Sequence, residues 1–230
     1  MNENRLLRLF KACLEADYIT VAQSGDSFAL YKNGGTLYVF FEKSNGATDW
    51  YNNLDFAAVS HARGEVGEKN AIYRLSEDDC LCHGGFLRVW NSILPYIEGA
   101  LLDLTFHNII TVGYSHGAAL ALLCHEYVWY HRRDLRGKAQ GFGFGCPRVI
   151  YGRAPREDER WQNFYVIRNL DDLVTHLPPR VFGFRHVGKL IEIGRRGRYS
   201  RLDAHREENY ILSLNSLRDG PLTDLTKQEL

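Results

Sequence analysis

Residues 5–17 place Leu6, Phe10, Cys13 and Leu14 at helical spacing, which predicts an opening helix. Short β-type runs follow at 18–22, 28–31 and 36–41, and Asn33-Gly34-Gly35 between the last two supplies turn residues that tolerate positive φ. Residues 86–104 then repeat apolar side chains at Phe86, Val89, Trp90, Ile93, Ile97, Ala100, Leu101 and Leu104, the pattern of an amphipathic helix, with a kink expected at Pro95. A β-branched strand over 108–112 leads into a helical pattern over 118–131, and 140–144, 163–168 and 189–193 read as further strands. Strands therefore alternate with crossover helices after residue 80. That order predicts an α/β fold with a mostly parallel central sheet and helices on both faces. No repeat, low-complexity tract or linker interrupts it, so residues 1–230 are expected to form a single domain.

Composition narrows the classes of function. Lys and Arg number 28 against 28 Asp and Glu, a balance unlike that of a phosphate-driven nucleic-acid binder. Hydrophobic residues at 45% and charged residues at 24% are globular values, which excludes wholesale disorder. The first residues mix Leu6, Leu7, Leu9 and Phe10 with Arg8 and Lys11 and do not read as a secretory signal, and no apolar run has the length of a transmembrane segment. Five cysteines, Cys13, Cys80, Cys82, Cys124 and Cys146, are an odd number in a chain large enough to fold without staples. Reduced thiols and a cytoplasmic location are the expectation, with an already processed secreted form as the alternative. The cluster Arg195, Arg196, Arg198 and Arg201 is expected to be a solvated loop face, with an anion site as the less favoured alternative.

One motif carries chemistry. Gly113-Tyr114-Ser115-His116-Gly117 fits G-x-S-x-G and stands between the strand at 108–112 and the helix at 118–131. In that setting the motif becomes a nucleophile elbow. Strand and helix approach closely only where the positions two before and two after the serine lack side chains, as at Gly113 and Gly117. Ser115 would then project its hydroxyl from the sheet edge at a helix N-terminus. There the His116 N–H favours developing negative charge and offers one donor to an oxyanion.

A serine hydroxyl needs a histidine to take its proton and an acid to hold that histidine in the right tautomer. On this kind of fold the acid and then the histidine follow the serine in the chain. Asp171 and Asp172 both lie at a strand end downstream. His125 and His131 lie on the helix after the elbow and are expected to be structural, which leaves His186 and His205, in late loops, ahead of His176. The residues alone leave two acids and two bases.

Several ordered segments resemble the class 3 lipases, the fungal-lipase-like branch of the α/β-hydrolases, over about residues 36–210. Tyr38-Val39-Phe40-Phe41 with Asp49-Trp50 and Asn53-Leu54 is similar to that family's strand, oxyanion loop and lid entrance. Cys82-His83-Gly84-Gly85-Phe86 resembles its H-x-G-F segment, and Gly143-Phe144-Gly145-Cys146-Pro147-Arg148-Val149 its F-G-x-P-R-V strand end. The most specific match runs from Asn169 through Asp171-Asp172-Leu173-Val174 to Pro178-Pro179, against N-x-x-D-[IL]-V-x-x-L-P-P.

The resemblance implies an α/β-hydrolase fold and a serine carboxylic-ester hydrolase working through an acyl-enzyme, with acylglycerols or other lipid esters as substrate. It places the triad aspartate on Asp172 and the histidine on His205, in the segment Asp203-Ala204-His205 with Tyr210. The oxyanion donors fall on Ser44 and His116, and no metal or organic cofactor is implied. Two positions depart from the family pattern: Glu42-Lys43 replaces the Arg-Gly before the first donor, and His116 stands where Leu is common. A short-chain esterase or thioesterase would use the same machinery, and a lipase-like binding protein without turnover is the reading of a different class.

Other features have plainer readings. Cys80-x-Cys82-His83 lacks a second ligand pair, so thiols rather than a zinc site are expected. Cys146 has no elbow around it and reads as packing. Trp50, Tyr51, Leu54 and Phe56 could offer an apolar rim for transient contact with a lipid interface, or be buried in the core.

Overall fold

A computed structural model describes residues 4–22, 25–43, 72–74, 81–152 and 158–217. Helix α1 (Arg5–Leu14) opens on Asn4, whose Oδ1 accepts the Leu7 N–H at 2.9 Å and satisfies a first-turn donor. Strands β1 (Ile19–Thr20), β2 (Ser27–Asn33) and β3 (Thr36–Phe41) follow, then the short β4 (Ile72–Arg74) and β5 (Leu81–His83). Helix α2 (Gly84–Leu102) leads to β6 (Asn108–Tyr114), α3 (His116–His131), β7 (Ala139–Phe144) and β8 (Ile150–Tyr151). The chain continues through β9 (Phe164–Asn169), β10 (Phe184–Arg185), β11 (Lys189–Ile193) and α4 (Glu207–Asn215).

The main sheet has the order β1-β2-β3-β6-β7-β9-β11. Its first two pairings are antiparallel and the other four parallel. The expected mostly parallel sheet is therefore present. Side-chain alternation along its strands feeds two separate cores, as period-2 geometry requires. Val39, Phe41, Phe164 and Val166 join Trp90 and Ile93 of α2 and Leu120 and Leu123 of α3 on one face. Tyr38, Phe40, Tyr165 and Ile167 join Leu6 and Phe10 of α1 and Tyr210 and Leu214 of α4 on the other. Helices cover both faces because each strand presents apolar residues to both.

Several boundaries differ from the sequence pattern. The strand expected over 108–112 runs to Tyr114 and the helix expected from 118 begins at His116, so Ser115 alone joins them. Glycine, read as a breaker, here continues the ladder: Gly113 pairs with Phe41 and Gly143. Helix α2 is one element through Pro95, with no break at the expected kink; Pro95 and Asn91, the residue whose carbonyl loses its helical donor, are both exposed. A second sheet of order β10-β8-β5-β4 was not foreseen, because strands of two or three residues carry no periodicity.

Candidate active site

The elbow is built by close approach. A Cβ on Gly113 would stand 2.0 Å from the Gly117 carbonyl oxygen, and one on Gly117 would stand 2.2 Å from the Phe41 oxygen and 2.6 Å from that of Glu42. Both glycines are thus required where β6, α3 and the end of β3 meet. Ser115 takes φ 57° and ψ −120°, a conformation that non-glycine residues rarely hold. Its N–H donates to the Phe144 carbonyl at 2.9 Å, which ties the turn to β7.

Three side chains from separate segments converge there. His205 Nε2 lies 2.8 Å from Ser115 Oγ, and His205 Nδ1 lies 2.9 Å from Asp172 Oδ2. A carboxylate accepts, so the proton of the neutral ring sits on Nδ1 and leaves Nε2 to receive the serine hydroxyl. All three residues are buried, Asp172 completely. Desolvating a carboxylate is costly unless donors replace water. Here Oδ1 accepts the Val174 N–H at 2.8 Å, and Oδ2 accepts the Tyr210 hydroxyl at 2.5 Å in addition to His205. Burial and the Asp172 charge hold the Tyr210 phenol well above its ordinary pKa, which keeps it protonated and donating.

The backbone around this relay is pinned at several points. Tyr210 Oη accepts the Asn169 N–H at 3.1 Å, and Asn169 Nδ2 donates to the Ala204 carbonyl at 2.9 Å, joining the strand that leads to Asp172 with the turn that carries His205. The Tyr114 ring stacks on the His205 imidazole with centroids 5.1 Å apart, and its hydroxyl donates to the His205 carbonyl. Arg148 donates to the carbonyls of His176 and, at 2.8 Å, Pro178, beyond the Asp172 turn. Gly145, at φ 58°, leaves the space in which His205 sits: a Cβ there would be 2.8 Å from its Cε1.

The alternatives left by the sequence separate clearly. Asp171 turns the other way, at φ 73°, and its carboxylate accepts the Gly197 N–H. His186 is engaged by the Thr175 carbonyl at 2.6 Å from Nε2, and His125 Nε2 lies 2.9 Å from the Arg160 carbonyl. The His131 ring stacks on Tyr127 and His176 is exposed. His116 opens α3, where first-turn N–H groups have no helical acceptor, and packs its ring 5.5 Å from Phe86. Ser44, Asp49, Trp50, Tyr51, Asn53, Leu54, Phe56 and Cys80 lie outside the described residues. Glu42 and Lys43 lead toward Ser44; the Glu42 N–H donates to the Ser27 carbonyl at 3.1 Å, and Lys43 pairs with Glu207.

Sequence reasoning missed Tyr114, Asn169 and Arg148 as supports of the site. A findable signal existed only for α4, where Glu207 and Glu208 fall in a first turn and Tyr210, Ile211 and Leu214 share one face. The cysteines expected to be free thiols are so at Cys13, Cys82, Cys124 and Cys146, all buried. Burial pushes the Cys13 thiol up to about 12 and raises Cys124 and Cys146 as well. Among the described residues no three His, Cys, Asp or Glu side chains are grouped to hold a metal ion.

Buried histidines give the fold a pH dependence. Burial lowers His83, His116 and His125 to about 4 and His186 to about 3, with Arg88 adding to the effect on His83 and His83 to that on His116. The unfolded chain takes up protons near pH 6.5 that the folded chain refuses until near pH 4, so stability is lost as pH falls through that window. Each such histidine contributes a slope of up to about 1.4 kcal/mol per pH unit. Urea unfolding between pH 7 and pH 5 should show a falling free energy; a flat profile would mean these rings are charged within the fold.

Comparison with known proteins adds a family. The model of the lipase (class 3) family matches residues 38–182. A lipase of Rhizomucor miehei is 27% identical over 168 residues, 67% of this chain and 40% of that protein. The secreted mono- and diacylglycerol lipase 1 of Fusarium solani is 31% identical over 149 residues, 56% of this chain and 41% of that protein. The chain thus spans about two-fifths of the length of these curated relatives. A solved triacylglycerol lipase, described as having a serine protease triad as its catalytic centre, superposes with a TM-score of 0.63 at 20% identity, covering 78% of this chain and 66% of that one. That likeness shows a shared α/β-hydrolase fold.

Proposed function

This chain belongs to the class 3 lipase family, and from that premise we propose that it hydrolyses carboxylic esters of lipids through an acyl-enzyme. The observation that carries the reading is the buried relay Ser115–His205–Asp172 at a strained strand–helix corner. Ser115 Oγ attacks the acyl carbonyl as His205 Nε2 takes its proton, and Asp172 stabilises the imidazolium through Nδ1. The amides of His116 and Ser44 hold the oxyanion, and His205 then returns the proton to the leaving alcohol. Water activated by the same imidazole releases the acid. No metal or organic cofactor enters any step.

Acylglycerols are the leading substrate class, in keeping with the names of the Fusarium relative and the solved triacylglycerol lipase. Residues 1–230 act as one α/β-hydrolase domain. Leu202, 61% exposed three residues before His205, and Val181, 84% exposed, support transient contact with a lipid surface. No described helix is long and apolar enough to cross a membrane. The relative named as secreted weighs against the cytoplasmic location expected from the sequence, and buried free thiols suit either compartment.

The test is hydrolysis of p-nitrophenyl esters from short to long acyl chains, together with labelling by a serine-reactive fluorophosphonate. Turnover that rises toward long chains, with label on Ser115, is the expected result. A short-chain optimum makes the protein an esterase. Folded protein that stays unlabelled and inactive even with a lipid interface would overturn the reading in favour of binding without turnover, with Glu42-Lys43 as the altered feature.

A further inference from the structure

The turn that directs Asp172 inward shows its other side to a cavity of about 410 Å³ at the C-terminal ends of β9 and β11. Its walls come from the Asp171–Leu173 turn and from the segment that precedes His205, and the two are joined where the Leu173 N–H donates to the Arg201 carbonyl at 3.2 Å. Three guanidiniums line it against two carboxylates. Both carboxylates are already engaged: Glu192 pairs with Arg168, and Asp171 accepts the Gly197 N–H. The side chains of Arg196 and Arg201 have no ion-pair or hydrogen-bond partner among the described residues.

We propose that this cavity is a binding site for an organic phosphate monoester, with the phosphoryl oxygens held by Arg196 and Arg201 and the carbon framework lying on Leu170 and Leu173. Two guanidinium forks suit a phosphoryl group, whose three terminal oxygens engage both at once, whereas one carboxylate fills a single fork. The volume is larger than a phosphate group alone needs, and the two leucines give the remainder of a ligand an apolar floor. The local potential is positive: at His176, on the same wall and exposed overall, partial desolvation of the ring, Arg168, Arg148 and Arg201 all lower the pKa and only Asp172 opposes them. An occupant would bridge the segments that carry Asp172 and His205, yet it needs neither of them. The site goes beyond the proposed hydrolysis and is tested by binding alone.

The phosphate monoester has two sources, a soluble ester or the headgroup of a lipid. Calorimetric titration of the full chain with glycerol 3-phosphate, at ionic strength matched with chloride, tests the first. Co-sedimentation with phosphatidylcholine vesicles containing phosphatidic acid, compared with phosphatidylglycerol at equal surface charge, tests the second. Each of Arg196→Gln and Arg201→Gln should weaken binding about tenfold, since each removes charge-assisted hydrogen bonds. Both residues are exposed, so the fold tolerates the changes, and thermal melts of the variants confirm it. Ser115→Ala should bind as the unmodified chain does, which separates this site from the esterase reading. Arginine-dependent binding of glycerol 3-phosphate assigns the soluble source. Arginine-dependent preference for phosphatidic acid without glycerol 3-phosphate binding assigns the headgroup. Binding that survives the double substitution, equal affinity for both anionic vesicles with no glycerol 3-phosphate binding, or no binding to any probe overturns the proposal.

Discussion

Replacing His205 with alanine is expected to lower kcat/KM for a p-nitrophenyl ester by about 10⁴–10⁶-fold, and adding Ser115→Ala should cost almost nothing further. A loss of 10⁵ corresponds to about 7 kcal/mol, several times the worth of a single hydrogen bond. The excess arises because Ser115 Oγ, buried at the elbow, has His205 Nε2 at 2.8 Å to receive its proton, and without that acceptor attack has no base. Once either member is gone the other has no role, which is why the two losses do not add. Asp172→Asn should lose about 10⁴-fold by favouring the wrong tautomer of His205. His186→Ala is the control. Its ring is bound to the Thr175 carbonyl, and its removal should change kcat/KM by less than about tenfold. Comparable losses in His186→Ala and His205→Ala would assign the wrong base.

That comparison also marks where the sequence stopped being readable. The elbow was legible because G-x-S-x-G, a preceding β-branched run and a following alanine-rich helix are all local. The choice between Asp171 and Asp172 was not. The two are adjacent and chemically identical, and a single residue at φ 73° sends one carboxylate to Gly197 and leaves the other facing His205. Only resemblance to a family selected Asp172 and His205 beforehand. Tyr114 and Tyr210 come from β6 and α4, far apart in the chain, and pack their rings 5.7 Å apart beside the relay; the family segment pointed to Tyr210 beforehand, but nothing local announces Tyr114. The main sheet could be read from its alternation, whereas β4, β5, β8 and β10 are held by pairing with distant segments and have too few residues for any pattern. Long-range packing, absent from local propensity, decides both.

Gly113→Ala and Gly117→Ala should each destabilise the fold by more than about 4 kcal/mol, a drop of roughly 10 °C or more in Tm for a chain of this size. The added methyl would stand 2.0 Å or 2.2 Å from a backbone oxygen, against an ordinary contact beyond 3 Å. Backbone cannot step aside as the end of a flexible side chain can. Gly113 is held in register with Phe41 and Gly143 in the middle of the parallel sheet, so relief would require moving α3 off the strands. Gly99→Ala supplies the contrast. It is an exposed position inside α2 with nothing within 4 Å of the new methyl, and the substitution should add up to about 1 kcal/mol through helix propensity. Gly145→Ala falls between. Its methyl meets the His205 ring at 2.8 Å, and its φ of 58° costs an alanine about 1–2 kcal/mol, so the protein should fold while the imidazole is displaced from Ser115. Its activity loss should therefore exceed its stability loss, whereas Gly113→Ala, whose methyl meets only backbone, should register first as a loss of stability. Thermal melts beside ester turnover for the four variants read both quantities. A Gly113→Ala protein that melts within about 2 °C of the unmodified chain would mean that the strand–helix corner is more open than the contact between Gly113 and Gly117 requires.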